Sequence, residues 1–241
     1  MELSKLKAEI LSRHKGSNAH LEEICKTIDD DVSVYPFNEF ELLLRLMQDT
    51  GSLSFDDYLG LRQAYIESNP NLWIFEIAAP RGFGEKFAQT NVLGMCPTLS
   101  KPSKLLDMNY SGEYDFWLDG IKIEVKASRA VRNDSDEPLY CRAVTWDTES
   151  DFLMNFQQLK PDCCDVFVWL AVFRDVIVTW VLSSNEVLQN RNFSKGQHRG
   201  NHGNEGQLHV KANNIRELDQ YRFVDGSLLN AIKEANKRNS I

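Results

Sequence analysis

The sequence predicts an α/β (α+β) protein, a mixed central β-sheet flanked by helices with a helical amino-terminal region. Three observations carry that prediction. The first eighty residues hold apolar positions at helical spacing, residues 114–127 read as a β-hairpin, and two apolar runs, DVFVWLAVF and DVIVTWVL, follow one another before a mixed tail.

Taken in order, FNEFELLLRLMQ, from Phe37 to Gln48, carries helix-spaced apolar positions. After a turn at Gly51, Ser54 with Asp57 makes a capping-box start for a helix running to about Ser68, where Asn69-Pro70 stops it. LWIFEIAA, Leu72 to Ala79, fits more than one structure and is closed by Pro80, after which RGFGEKFAQ begins a helix with Glu85 in its first turn. At YDFWL the pattern becomes strand-like, and an Asp119-Gly120 turn leads into IKIEVKA, a strong hairpin signal. FLMNFQQLK, Phe152 to Lys160, fits a helix ended by Pro161-Asp162. The two apolar runs that follow are expected as central strands covered on both faces. No repeat, low-complexity tract or Gly/Ser linker interrupts the chain. A helical region over residues 1–80, separate or part of the same domain, and a core over 81–241 are the expected division.

Composition sets the class. A chain of 241 residues, 42% hydrophobic and 26% charged, has the make-up of an ordinary globular protein with a sizeable core. The most apolar stretch, Val166 to Leu182, is broken by Arg174 and Asp175, so no membrane span is expected. The amino terminus is charged throughout and lacks the apolar run of a secretory signal, which makes the cytoplasm the expected location. Five cysteines, Cys25, Cys96, Cys141, Cys163 and Cys164, form no C-x-x-C pair and read as reduced, mostly buried thiols. A net charge of -8 argues against a protein that coats nucleic acid non-specifically. It leaves room for a nucleic-acid enzyme, because carboxylates gathered around a metal add to the negative count, and lysines and arginines gather near the hairpin.

The hairpin is where chemistry is concentrated. Alternation along a strand puts Ile121, Ile123 and Val125 on one face and Lys122, Glu124 and Lys126 on the other. Pairing across the Asp119-Gly120 turn can bring Asp115 to Glu124. Two converging carboxylates make a hard oxygen site suited to Mg²⁺, which keeps waters and leaves room for a phosphate oxygen. A lysine beside them can orient a water and offset developing negative charge.

An acid followed by E-x-K on a hairpin, with Asp115, Glu124 and Lys126 in place, resembles the PD-(D/E)xK nuclease superfamily, to which most type II restriction endonucleases belong. Tyr114 stands where that pattern often has proline. The resemblance covers mainly residues 72–210 and implies a restriction-endonuclease-like core and a Mg²⁺-dependent site, with Mn²⁺ able to substitute. By resemblance, Asp115, Glu124 and the Val125 backbone carbonyl would hold the metal and Lys126 would position the attacking water. GFGEKFAQ resembles the upstream helix of many such enzymes and puts Glu85 in a supporting metal-facing role; the plain alternative is an acid favoured by the helix dipole. The implied products are a 5′ phosphate and a 3′ hydroxyl, the substrate is double-stranded DNA, and the implied partners are a second copy of the chain and a cognate DNA methyltransferase.

FSKGQHRGNHGNEGQLHV, Phe193 to Val210, is similar to late DNA-reading loops of those enzymes. Its glycines permit close backbone approach, and Lys195, His198, Arg199, Asn201, His202, Asn204 and Gln207 supply donors for phosphates and base edges. Ser128 and Arg129, just after the lysine of the motif, complete the expected DNA contacts. A zinc site built from His198, His202 and His209 is the weaker reading, since the glycines oppose helical presentation and no cysteine has ligand spacing. A plain surface loop is the stronger alternative. No G-x-S-x-G occurs, and Cys163 and Cys164 open an apolar strand. Trp117 shares a strand face with Asp115 and so borders the expected site. Two other functions fit the same residues: a repair or recombination nuclease of this superfamily, and a DNA-binding protein with an idle nuclease fold.

Overall fold

The computed structural model describes Ala19 and residues 44–45, 47–80, 82–134, 136–196 and 205–239. The elements, in chain order, are α1 (Phe55–Ser68), α2 (Leu72–Phe75), a π-helix (Gly82–Gln89), α3 (Thr90–Met95), β1 (Phe116–Leu118), β2 (Ile121–Arg129) and α4 (Leu139–Arg142). After them come β3 (Leu153–Leu159), a 3₁₀ turn (Pro161–Cys163), β4 (Val166–Val172), β5 (Ile177–Ser183), α5 (Ser184–Leu188), β6 (Phe193–Lys195) and β7 (Gly206–Lys211). A second 3₁₀ segment (Ile215–Tyr221), β8 (Arg222–Phe223) and α6 (Leu228–Arg238) close the chain. They fall into two compact units: one takes in Met1–Glu76, Val131–Ser150 and Phe173–Val176, the other Ile77–Ala130, Asp151–Val172 and Ile177–Ile241.

In the first unit, α1 begins where the sequence places it. Ser54 Oγ accepts from the Asp57 amide at 3.1 Å and donates to the Asp57 carboxylate at 2.7 Å, which satisfies an orphan N–H of the first turn. The helix stops at Asn69, whose side-chain amide donates to the Tyr65 carbonyl. The ambiguous LWIFEIAA stretch contributes the short helix α2. The Phe173–Val176 segment of this unit is tied to the residue before α2, Asn71, whose amide donates to the Arg174 carbonyl, and meets the Val131–Ser150 segment where Trp146 packs edge-on against Phe173 at 5.1 Å. Only part of the Phe37 to Gln48 helix lies among the described residues, with Leu44, Arg45 and Met47–Gln48 helical there.

The second unit holds both sheets. A five-stranded mixed sheet runs in the order β1-β2-β4-β5-β8, and a three-stranded sheet in the order β3-β7-β6. β1 and β2 are antiparallel, β2 and β4 parallel, and β4 meets β5 and β5 meets β8 antiparallel. The hairpin turn at Asp119-Gly120 has positive φ at both residues, 49° and 94°, as a tight turn matching strand twist requires. Every residue of β4 is buried, in keeping with a central strand covered on both faces.

One expected helix is a strand. By sequence Phe152 to Lys160 fits a helix, but Leu153–Leu159 forms β3, antiparallel to β7. Met154 and Phe156 are buried in alternation, and the ladder then slips between Phe156 and Leu159, where Gln158 takes φ 53°. This bulge puts Leu159 back on the buried side, so the buried positions run Phe152, Met154, Phe156, Leu159 and mimic helical spacing. Phe156 stacks on Trp169 of β4 at 4.6 Å and meets Trp180 of β5 at 6.3 Å, which fastens the small sheet to the large one.

The glycine-rich stretch also resolves partly into strands, with β6 and β7 paired through Lys195 and Gly206. A Cβ at Gly206 would lie 2.2 Å from the Ser194 carbonyl oxygen, so this glycine lets two strands approach, and it contacts protein backbone there. The cysteines described are free; Cys96, Cys141 and Cys164 are buried, and Cys25 lies outside the described residues. Among the described residues, no helix is long and apolar enough to cross a membrane.

Candidate active site

Asp115 sits immediately before β1 and is tied to β2 at two points. Its N–H donates to the Ile123 carbonyl at 2.9 Å, and its carboxylate Oδ2 accepts from the Val125 amide at 2.8 Å. These two bonds straddle Glu124, so the backbone of β2 holds the acids together without help from a flexible side chain. Glu124 is only 7% exposed and forms an ion pair with Lys126, two residues on, at 2.6 Å. Alternation along β2 puts both on one face.

Burial sets the charge state of the pair. Loss of solvent pushes Glu124 up to about 7, opposed by the Lys126 ammonium and reinforced by the negative charge of Asp115, with Lys160 also favouring ionisation. Burial likewise raises Asp115 above the usual carboxylate range, against the Val125 amide and the Lys126 and Lys101 ammoniums, while Glu85 adds to the rise. A buried Glu124 and a half-buried Asp115 held together at this cost, with a lysine only partly compensating, form a donor set that suits a hard divalent cation. Mg²⁺ takes one or two protein carboxylates and fills its remaining positions with water and phosphate. Among the described residues, no three His, Cys, Asp or Glu side chains converge as a complete metal shell.

Residues far away in sequence finish the site. Gln89, the last residue of the π-helix, donates to Asp115 Oδ1 at 2.6 Å, and its own carbonyl oxygen accepts from Lys101 Nζ at 2.6 Å. Lys101 also stands 4.4 Å over the Phe116 ring. Both oxygens of Asp115 are therefore engaged, one by backbone and one by this side-chain relay. Sequence reasoning missed Gln89, Lys101 and Lys160; the only signal was that GFGEKFAQ ends in a polar residue, four positions after Glu85. π-helical turns do recur at functional sites. This one buries Phe83 and Phe87, which stack at 5.7 Å, while Glu85 stays exposed on the same segment.

The remaining expected residues are distributed unevenly. Ser128 is buried and its hydroxyl accepts from the Asn155 amide at 2.9 Å, linking β2 to β3. Arg129 lies 4.3 Å over Phe83 and donates to the Ile77 carbonyl at 2.9 Å, clamping the π-helix to the end of β2. Ser128 is thus enclosed, whereas Arg129 stays partly exposed. Lys195 is exposed at the end of β6, and Gln207 lies on β7, where its Oε1 accepts from Asn155. His198, Arg199, Asn201, His202 and Asn204 lie outside the described residues. Trp117 pairs with Lys122 across the hairpin and packs against Tyr114 at 6.4 Å.

No protein-family model matches the chain, and no curated protein matches it.

Proposed function

We propose that this chain is a Mg²⁺-dependent type II restriction endonuclease with the PD-(D/E)xK fold, hydrolysing phosphodiester bonds of double-stranded DNA at a short sequence. The observation that carries the reading is the buried Glu124, paired with Lys126 at 2.6 Å and bracketed by the two bonds that fix Asp115 to β2. A strand face that served only to be wet would not bury an acid pushed up to about 7.

Asp115, Glu124 and the Val125 carbonyl would hold the metal, with Glu85 in support. Bound Mg²⁺ supplies polarisation of the phosphate and a water of lowered pKa. Lys126 has a partner in Glu124 and, on release from it, an ammonium free to orient the water and offset charge on the phosphate oxygens. Water attacks phosphorus opposite the 3′ oxygen, the P–O3′ bond breaks, and a 5′ phosphate and 3′ hydroxyl remain. Gln89 and Lys101 keep Asp115 aimed. A homodimer would match a palindromic site, and a cognate methyltransferase would protect the cell's own DNA.

The test is incubation of the protein with plasmid DNA in Mg²⁺ or EDTA, beside a Glu124→Ala variant. Discrete fragments that require both Mg²⁺ and Glu124 are expected, and their sequenced ends give the site. Cleavage that persists in Glu124→Ala, or none in any divalent metal, would overturn the reading.

A further inference from the structure

The segment between Lys101 and Asp115 carries three apolar side chains turned to solvent: Leu105 is 98% exposed, Met108 86% and Leu106 44%. Single exposed apolar residues are ordinary, but three within four positions on one loop mark an interaction surface. The loop is built to hold them out. Its turn is closed by amides of Leu106 and Asp107 on the Ser103 carbonyl at 3.0 and 2.9 Å, and by the Tyr110 amide on the Asp107 carbonyl at 3.0 Å. Asp107 then staples its middle to the hairpin. Its carboxylate pairs with Lys122 of β2 at 2.9 Å, accepts from the Tyr114 hydroxyl at 3.0 Å and accepts from the Asn109 amide at 3.0 Å. The Lys122 ammonium and the Asn109 amide hold this carboxyl below its usual range, so the staple stays charged.

Both ends of the loop are moored at the candidate site. Lys101 reaches Asp115 through Gln89, and the returning strand delivers Tyr114 and Asp115 themselves. The loop is thus tied at both ends to Asp115 and at its middle to Lys122, which shares a strand face with Glu124. Exposed Lys104 lies immediately before the apolar tip and exposed Lys101 three residues earlier, which suits a partner with negative charge beside an apolar surface that Leu and Met can enter. Stacked base pairs bordered by phosphates have that chemistry. A membrane suits it less well, because the loop is tied at both ends to Gln89 and Asp115 of the candidate site.

We propose that Leu105 and Met108, held out by the Asp107 staple, form a wedge that enters a base step of the DNA bound at Asp115 and Glu124 and unwinds the duplex beside the scissile phosphate. The inference rests on the nuclease reading. Partial unstacking kinks DNA and costs a few kcal/mol per step, which is offset by the extra contact a bent duplex makes.

The test uses a relaxed closed-circular plasmid, the full chain, Ca²⁺ in place of Mg²⁺ to hold DNA without efficient hydrolysis, and a metal-independent type I topoisomerase. After protein removal, DNA treated with the unaltered chain is expected to be negatively supercoiled. DNA treated with Leu105→Ala/Met108→Ala stays relaxed, although that variant retards a linear duplex with affinity within about threefold and keeps its melting temperature, as exposed positions should. A Leu105→Met/Met108→Leu variant, which keeps the volume, restores the shift. Binding without unwinding by the unaltered chain, or unwinding retained in the alanine variant, overturns the wedge and leaves the nuclease reading standing. Absence of both binding and cleavage removes the nuclease reading, and the wedge with it. A dimer that the alanine variant converts to monomer, with no unwinding by either, reassigns the tip as a contact between copies of the chain and also overturns the wedge.

Discussion

Glu124 ionises against its surroundings, and this has a measurable consequence for stability. Its folded value of about 7 stands above an ordinary 4.5. Below 4.5 the group is protonated in folded and unfolded chains alike. Between 4.5 and about 7 the folded chain keeps a proton that the unfolded chain has lost, so stability falls as pH rises, and above 7 the full cost is present. That cost is about 3 kcal/mol at most, at 1.36 kcal/mol per unit. Glu124→Gln is therefore expected to raise the urea midpoint at pH 8.5 while changing it little at pH 4; an equal shift at both values would sink the assignment. The same proton bears on metal binding. A carboxyl that must lose a proton to hold Mg²⁺ releases it on binding, so calorimetry at pH 6.5 in buffers of different ionisation enthalpy should show proton uptake by buffer in the unaltered chain and less in Glu124→Gln. At this scale the sequence was informative where contact is local. Asp115, Glu124 and Lys126 fall within one hairpin and could be read from alternation, whereas Gln89 reaches Asp115 across 26 positions and no periodicity announces it.

Among the elements, those whose partners are near in sequence were the legible ones: α1 from its Ser54 cap, the β1-β2 hairpin from Asp119-Gly120, and β4 and β5 from unbroken apolar runs. β3 was misread because its structure comes from β7, some fifty residues on, and because its bulge converts strict alternation into a spacing that a helix also satisfies. Phe156 shows how much the small sheet depends on that strand. It is 1% exposed and lies on Trp169 and Trp180, so Phe156→Ala is expected to cost about 3–5 kcal/mol, read from urea unfolding. A loss under about 1 kcal/mol would mean that the two sheets are held by other contacts.

For the whole molecule, charge is the feature that composition reports and also conceals. A net -8 spread over 241 residues opposes DNA as an average, yet Lys101 acts on Asp115, Lys160 on Glu124 and Lys126 on both. On the proposed nuclease reading, attraction to DNA would be local and few phosphates would be neutralised. The logarithm of DNA affinity is expected to fall with the logarithm of salt with a slope of about -3 to -4, at roughly 0.9 per phosphate. Lys104→Ala should make that slope shallower by about one. A slope near -10 would place the main contact on a larger basic surface. The division into units was less visible than the charge, since Val131–Ser150 and Phe173–Val176 belong with the first unit and carry no linker composition.

The strand that bears Glu124 has two kinds of neighbour, and they differ in when they can form. β1 joins β2 across a two-residue turn, whereas β4 joins it in parallel with Glu124 beside Phe167, more than forty positions later. Local closure is fast and long-range parallel pairing slow. During folding the two acids are therefore expected to meet early, while still hydrated and easily ionised, and to be sealed in only when β4 pairs. Pairing of β4 is then the step expected to depend on pH, so refolding followed by stopped-flow fluorescence should slow as pH rises from 5 to 8; a rate that does not change with pH would put the burial of Glu124 after the rate-limiting step.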